Sequence, residues 1–386
     1  MQLPIYSYMK SNKEHWYYAF EVKDRKGNRK TIKQRGFTGK TAAREAERLA
    51  RVEWEKGLYI DPSKITVGEY ITDWLEHKQD VSIETKETSR SHIRKHIIPE
   101  VGGLLLQKFS VSDIKDLVKV LQSKDKELSE GTIKKIYNLL QTCFKTAATE
   151  QVIGKNPFDL MDKGSTPKVH KVNNDYWTKD EVKTFFKNLD HRLKILFVFA
   201  IYTGMRRGEI TGLRWKDIDL DNGRLSIQQT LKPRGRIKDG GKNDNAARSI
   251  TLSPFVLSEL KKHRAMIVKE RWGAAERYRN KSELEHAQNN YKNLDLVICQ
   301  TNGDPISVGN FTKFWKGIVD KTGMRYIKFH DLRHTCASLL LSNGTHPKVV
   351  QELLGHSSIA VTLDTYSHML PNMQEEAVKA LDELLN

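Results

Sequence analysis

The stretch Thr203-Gly204-Met205-Arg206-Arg207-Gly208-Glu209 follows directly on the apolar run Leu193–Tyr202. The run predicts a helix, and the glycine after it predicts where that helix stops. Two arginines beside a helix-terminal glycine suit the non-bridging oxygens of a phosphodiester, because a guanidinium meets phosphate in bidentate fashion. Three further segments carry the same kind of residue. Lys242 lies in Gly241-Lys242-Asn243, six residues before Arg248; next comes His330-Asp331-Leu332-Arg333-His334; then Leu354-Gly355-His356-Ser357-Ser358, with Tyr366 ten residues beyond His356. Each has an ordinary reading on its own: Arg206 as a surface or salt-bridged residue, Lys242 as a solvated lysine, His330 and His356 as structural histidines, Tyr366 as core. Their order and spacing together carry the inference.

Such a set supports phosphoryl transfer. Arginines on the non-bridging oxygens stabilise the charge that gathers when phosphorus becomes five-coordinate. A loop lysine can protonate a departing sugar oxygen, and histidines near neutral pKa can move a proton or hydrogen-bond the phosphate. A tyrosine can serve as covalent nucleophile, splitting one hard step into two easier ones.

Composition narrows the class of protein. The 386 residues hold 65 Lys plus Arg against 48 Asp plus Glu, a formal charge of +17, and 38% are hydrophobic, too many for a disordered tail. The longest strongly apolar stretch, Ile195 to Tyr202, falls far short of the ~20 residues of a membrane span. Met1 to Lys13 lacks the charged-then-apolar order of a signal peptide, and Cys143, Cys299 and Cys336 are too scattered for a disulfide framework or a cysteine zinc site. These features predict a soluble, intracellular, multidomain protein whose partner is a polyanion.

Three units are expected along the chain. In the first, Trp16–Val22 and Lys30–Phe37 read as strands around a turn at Asp24–Asn28, and a helix from about Thr41 sets Ala42, Ala46 and Leu49 on one face. Residues 1–57 carry 14 basic and 7 acidic side chains, a surplus of 7. A short basic sheet edged with aromatics can lie in a DNA groove; the same residues also fit a small solvated module without a ligand. The second unit reads as wholly helical. Thr66-Val67-Gly68-Glu69 is a capping box, and helices are predicted at Glu84–Ile97, Asp113–Gln122 and Glu130–Gln151. Arg90, Arg94, Lys95, Lys134 and Lys135 suit phosphate contact or a solvated face. Lys163–Asn174 reads as a linker. In the third unit, Thr178-Lys179-Asp180-Glu181 is another capping box, Arg224–Thr230 and Ala247–Leu252 read as a minor β element, and Lys232–Asn245 as a mobile loop between them. Arg277–Asn293 reads as a surface insertion, and Asn372–Leu385 as an amphipathic helix with Met373, Ala377, Val378, Leu381 and Leu385 on one side.

Taken together, the four segments, Leu213-Arg214-Trp215 and Thr362–Tyr366 resemble the tyrosine recombinase (phage integrase) family over residues 175 to 370; the helical unit resembles the family's core-type DNA-binding domain, and the first sixty residues resemble the arm-binding domains of integrases of Gram-positive phages and conjugative transposons. The resemblance implies a mainly α fold with small β elements (α+β). Its domains would be an arm-type DNA-binding domain at 1–60, a helical core-type DNA-binding domain at 64–162, and a catalytic domain with a C-terminal oligomerisation helix at 175–386. It implies that Tyr366 attacks the scissile phosphate to give a 3′-phosphotyrosyl link, that Arg206 and Arg333 clamp the phosphate, and that Lys242 protonates the leaving 5′-oxygen. His330 takes the acid/base position, His356 hydrogen-bonds the phosphate, and Glu209 braces Arg206. Lys232 and Lys238 lie in the same loop as Lys242, and Ala246 stands where the family often has Ser. Lys30, Lys33, Arg35, Arg90, Arg94, Lys95, Lys134 and Lys135 would contact DNA.

The implied activity is integration or excision of a mobile element at DNA attachment sites, without metal, ATP or cofactor. Double-stranded DNA with core-type and arm-type sites would be the partner, with a tetramer of the chain, an excisionase and a host DNA-bending protein, in the cytoplasm of a bacterial host. The alternatives are a recombinase resolving chromosome or plasmid dimers, and a non-catalytic DNA-binding protein of the same fold. A type IB topoisomerase shares the chemistry but not this motif set.

Overall fold

A computed structural model describes residues 5–23, 27–123, 128–170, 175–232, 236–239, 248–278, 280–306, 311–366, 378 and 381–385. The chain divides into two units, Met1–Lys171 and Val172–Asn386.

The first unit begins with an antiparallel sheet in the order β1 (Ile5–Lys10), β2 (Lys13–Lys23), β3 (Arg29–Phe37), followed by α1 (Lys40–Glu55). Side chains alternate across a strand, so Tyr18 and Phe20 of β2 and Ile32 of β3 face α1 and are buried with Ala50, while Tyr17 falls on the opposite face. Strand β1 had no counterpart in the sequence reading. Ser11 and Asn12, both at positive φ (50° and 59°), turn it into β2 as a two-residue hairpin loop. The inner face of α1 also differs from the expected one. It is Ala43, Glu47 and Ala50; of the expected three, Ala46 packs against the core while Ala42 and Leu49 are exposed. Glu47 occupies an inner position because Arg51 Nε, one turn on, donates to its carboxylate at 2.6 Å.

Helices make up the rest of this unit: α2 (Val67–His77), α3 (Ile83–His92), α4 (Ile98–Val101), α5 (Val111–Gln122) and α6 (Glu130–Thr149). The Thr66 capping box forms as expected: Thr66 Oγ1 accepts from the Glu69 amide at 3.2 Å, and the Thr66 amide donates to Glu69 at 2.8 Å. The expected single helix at 84–97 is interrupted by a π-helical turn, Ile93–Ile97, in which the Ile98 amide bonds back to the Ile93 carbonyl. Pro99, which has no N–H to continue an α-helical ladder, follows immediately. Ile133, Ile136, Tyr137, Leu140 and Phe144 of α6 are buried together, as their spacing predicts.

The second unit contains α7 (Lys179–Asn188), α8 (Lys194–Thr203), α9 (Arg207–Thr211), β4 (Ile218–Asp219), β5 (Arg224–Ser226), β6 (Gln229–Leu231), β7 (Ile237–Asp239), β8 (Ser249–Thr251), α10 (Pro254–Trp272), α11 (Ala274–Arg277), α12 (Lys281–Asn293), α13 (Phe311–Thr322), α14 (Asp331–Ser342), α15 (Pro347–Leu354) and α16 (Ile359–Tyr366). Helix α8 is apolar nearly all round and is the buried centre of the core. Its Phe197 packs against Phe185, Trp315 and Phe329, with Trp177 beside them, and the two indoles donate to the carbonyls of Arg325 and Ile327. Strands β4, β5 and β8 form one antiparallel sheet and β6–β7 a hairpin.

Three expectations change here. Residues 232–245 are not simply a loop, since β7 pairs with β6. Helix α12 is more than a surface insertion: Tyr291 is buried with Ile267, Leu296 and Cys299. Of the tail helix, Val378, Leu381 and Leu385 are helical and exposed, whereas Met373 and Ala377 lie outside the described residues. No helix among the described residues is long and apolar enough to cross a membrane.

Candidate active site

Helix α8 stops at Gly204, whose φ of 60° is left-handed. A side chain there would run into Leu354 and Cys336, so only glycine lets α14 and α15 pack this closely on the turn. The turn delivers Arg206 to the start of α9 and leaves the Gly204 carbonyl free to accept from Arg333 Nη1 at 2.7 Å.

Glu209 anchors the basic residues. Only 5% exposed, its carboxylate accepts from the Arg206 amide at 2.8 Å, Arg206 Nη1 at 2.9 Å, and Arg248 Nη1 and Nη2 at 3.2 and 2.9 Å. Burial pushes the Glu209 pKa up, but the bonds and charges of Arg248 and Arg206 outweigh it and hold the group below the ordinary carboxylate value. Arg248 also donates Nε to the Leu353 carbonyl, and Arg206 Nη2 reaches the Gly355 carbonyl at 3.2 Å. Gly355, at φ 67°, lies against the Arg248 guanidinium: a Cβ there would sit 2.8 Å from Nη1.

Arg333, on the first turn of α14, is 3% exposed, and its Nη2 is buried with no hydrogen-bond partner among the described residues. Burial first, then the neighbouring charge of Arg206, lowers its pKa to about 10. Three guanidinium groups around one carboxylate leave two positive charges in excess, and one of the three keeps a buried donor unused. A buried donor in this state is costly unless an anion satisfies it.

The imidazoles adjoin this cluster. His330 caps α14, and its ring is 5.4 Å, edge to face, from that of His334 one turn along. His356 Nδ1 lies 2.9 Å from Thr362 Oγ1. Partial enclosure and nearby cations, Arg333 among them, lower all three imidazole pKa values, those of His334 and His356 to about 4. The rings are therefore neutral at neutral pH. Tyr366, the last residue of α16, is 2% exposed against Ala337, Leu341, Val350 and Leu354, and burial raises its pKa. Its hydroxyl lies 2.5 Å from His334 Nδ1.

Arg206, Glu209, His330, Arg333 and His356 are thus gathered, with Tyr366 joined to them through His334. Lys242 and Ala246 lie outside the described residues. Two contributors were quoted in the motifs without a role, Arg248 and His334. The i, i+4 spacing of His330 and His334 on a helix was the available signal for the second. Beside Arg206 and His330 opens a cleft of about 670 Å³, floored by Phe311, Trp315 and Phe329 and edged by Arg207, Lys232 and Lys328.

The first unit separates its candidate DNA contacts. On the sheet face away from α1, Lys33 Nζ lies 4.6 Å and Arg35 5.5 Å from the Tyr17 ring centre, and Tyr17 stacks on Tyr6. Lys30 is elsewhere, paired with Asp61 and near Trp54. Arg90 is held by Glu76 at 2.7 Å. Arg94 and Lys95 are exposed on the π-helical turn, and Lys135 is also exposed. Lys134 lies over the Tyr137 ring.

Comparison with known proteins gives concordant matches. The family model described as phage integrase family matches residues 175–373, an arm DNA-binding domain model residues 4–53, and a phage integrase N-terminal SAM-like domain model residues 66–122. A tyrosine recombinase XerC-like protein of Caldanaerobacter subterraneus is 30% identical over 98% of both chains, and the ICEBs1 integrase of Bacillus subtilis 29% over 76% of both. Among solved structures, the Tn1549 transposon integrase in complex with circular intermediate DNA aligns with a TM-score of 0.67 at 22% identity, over 82% of this chain and 99% of that one. A lambda integrase dimer bound to a core site aligns at 0.55 and 18% identity, over 96% of both.

Proposed function

This chain belongs to the phage integrase family and is a tyrosine-type site-specific DNA recombinase, and we propose that it cuts and rejoins attachment sites to insert or excise a mobile element. The observation that carries the active-site assignment is the surplus of positive charge around Glu209, with the unused buried Nη2 of Arg333, next to a tyrosine hydroxyl already hydrogen-bonded within the site. In this reading Arg206 and Arg333 hold the non-bridging oxygens of the scissile phosphate, and Glu209 fixes Arg206 and Arg248 in place. Charge accumulating on those oxygens strengthens both contacts in the transition state. Tyr366 Oη bonds to phosphorus and the bond to the 5′-oxygen breaks, leaving a 3′-phosphotyrosyl link. Lys242 supplies the proton for the 5′-oxygen, His330 stands at the acid/base position, and neutral His356 hydrogen-bonds the phosphate. A 5′-hydroxyl from a second duplex reverses the step, and the phosphoester retains the energy for rejoining.

The basic aromatic sheet supports integrase over dimer resolvase. Within residues 1–60, Tyr17, Lys33 and Arg35 form the face offered to arm-type DNA, and residues 64–162, through Arg94, Lys95 and Lys135, contact the core site. The full reaction uses a tetramer on two duplexes in a bacterial cytoplasm, with an excisionase and a host DNA-bending protein setting direction. The test is a suicide substrate bearing a nicked core site. The wild-type chain gives a covalent adduct on a denaturing gel, and Tyr366→Phe gives none; an undiminished adduct from that variant refutes the assignment.

A further inference from the structure

We propose that Arg207 and the cleft it edges form a second phosphate site, which holds the phosphate next to the scissile one on the cleaved strand. The inference rests on Arg206 and Arg333 being the clamp on the scissile phosphate, and it gives the second arginine of the pair a phosphate of its own.

Consecutive arginines could grip one phosphate together, but these two diverge. Arg206 turns toward Glu209 and the end of α15, with Nη1 donating to the carboxylate at 2.9 Å and Nη2 to the Gly355 carbonyl at 3.2 Å. Arg207 turns to α13, its guanidinium 5.0 Å from the ring centre of Phe311. Neighbouring positions at a helix start do not share a face, so the two groups cannot close on the same pair of oxygens. Adjacent α-carbons lie about 3.8 Å apart, and two long side chains diverging from them suit successive phosphates of one strand.

Arg207 is also the arginine here that lacks a protein acceptor. Arg206 and Arg248 donate to Glu209, and Arg333 to the Gly204 carbonyl. The Arg207 guanidinium has no hydrogen bond or ion pair among the described residues, and its pKa is lowered by burial with no carboxylate opposing it. Stacking on Phe311 offsets part of that desolvation but uses none of the N–H donors. A half-buried cation left in this state is satisfied by an anion from outside.

The cleft of about 670 Å³ beside it carries one sign of charge. Arg206, Arg207, Lys232 and Lys328 edge it, Thr230 and Thr312 add hydroxyls, and no carboxylate among the described residues lines it. Close packing builds this rim. A Cβ at Gly208 would lie 2.7 Å from the Thr230 side chain and 2.8 Å from the Leu231 carbonyl, so glycine lets β6 lie against α9 and bring Lys232 to the edge. Cations of one sign above an apolar floor concentrate the field on an entering anion. Arg206 belongs to both the clamp and the cleft, which favours a phosphate continuous with the scissile one over a free anion.

The test uses the full-length chain and core duplexes in which one phosphate, on the 5′ or the 3′ side of the scissile position, is replaced by an uncharged methylphosphonate. Binding is measured in the Tyr366→Phe background, so that no adduct disturbs the equilibrium. Arg207→Met keeps an apolar stem over Phe311 and removes the charge. It is expected to weaken binding of the unmodified duplex about tenfold and to lower the salt slope by about 1, and Arg207→Lys to restore the slope. A methylphosphonate at one or other flanking position should weaken the parent by a similar factor but Arg207→Met by less than about twofold, and that position identifies the phosphate held. The proposal is overturned if Arg207→Met binds the unmodified duplex within about twofold of its parent, or if both modified duplexes weaken variant and parent equally. If Arg207→Met unfolds at lower urea than its parent, Arg207→Gln is judged by the same criteria. A chain with Tyr366 intact that forms no adduct on a nicked core site would instead count against the clamp, a failure seen without any change at Arg207.

Discussion

Arg248 gives both terminal nitrogens to Glu209, at 3.2 and 2.9 Å, and its side chain is only 9% exposed. Removing the carboxylate charge leaves that cation buried without its partner. Glu209→Gln is expected to destabilise the second unit by about 3 kcal/mol, measured by urea unfolding. A loss below about 1 kcal/mol would show the pair to be dispensable.

Arg333 predicts the opposite balance of stability and activity. Its Nη2 is a buried donor without a partner among the described residues. Arg333→Met is expected to lower the urea midpoint less than Glu209→Gln does, since losing the Nη1 bond to the Gly204 carbonyl is offset by removing the unpaired Nη2, while adduct formation falls by about 10²-fold or more. A stability loss like that of Glu209→Gln would mean that Arg333 serves the fold.

Acid should loosen the second unit before its carboxylates protonate. His334 and His356 have folded pKa values of about 4, against an unfolded value of ~6.5. Between these limits the unfolded chain binds protons that the folded chain does not. Stability is thus full above pH ~6.5, declines as pH falls toward 4, and stops declining from this source below it. Both rings are partly exposed, so solvent screening moderates the size but not the sign. Urea midpoints at pH 7.5, 6 and 5 should show the decline, and His356→Asn should flatten it; an equal slope in the variant would assign the protons elsewhere.

The two faces of the N-terminal sheet should behave differently toward DNA. Lys33→Ala and Arg35→Ala are each expected to weaken arm-site binding and reduce the salt slope by about 1. Lys30→Ala, losing a cation already paired with Asp61, should change the slope less. Titrations at several salt concentrations decide this, and equal effects at all three positions would contradict the partition.

Much of the site was legible because its chemistry is written in short segments: Thr203–Glu209, His330–His334 and Leu354–Ser358 each place a polar group beside a helix end or tight turn. What escaped depended on distant or compensating partners. Glu47 looks like a surface residue until Arg51 neutralises it, so the α1 face was read one position off. Strand β1 is joined by Ser11-Asn12 instead of a glycine turn, and β7 hides among the glycines and lysines of a presumed loop. His334 shares a helix face with His330, but its bond to Tyr366 spans thirty-two residues of chain.

The packing of α16 has one more consequence. With Tyr366 walled in by Ala337, Leu341, Val350 and Leu354, no phosphodiester can touch its oxygen until α16 shifts against α14 and α15. The short helix that carries the proposed nucleophile thus also keeps it covered.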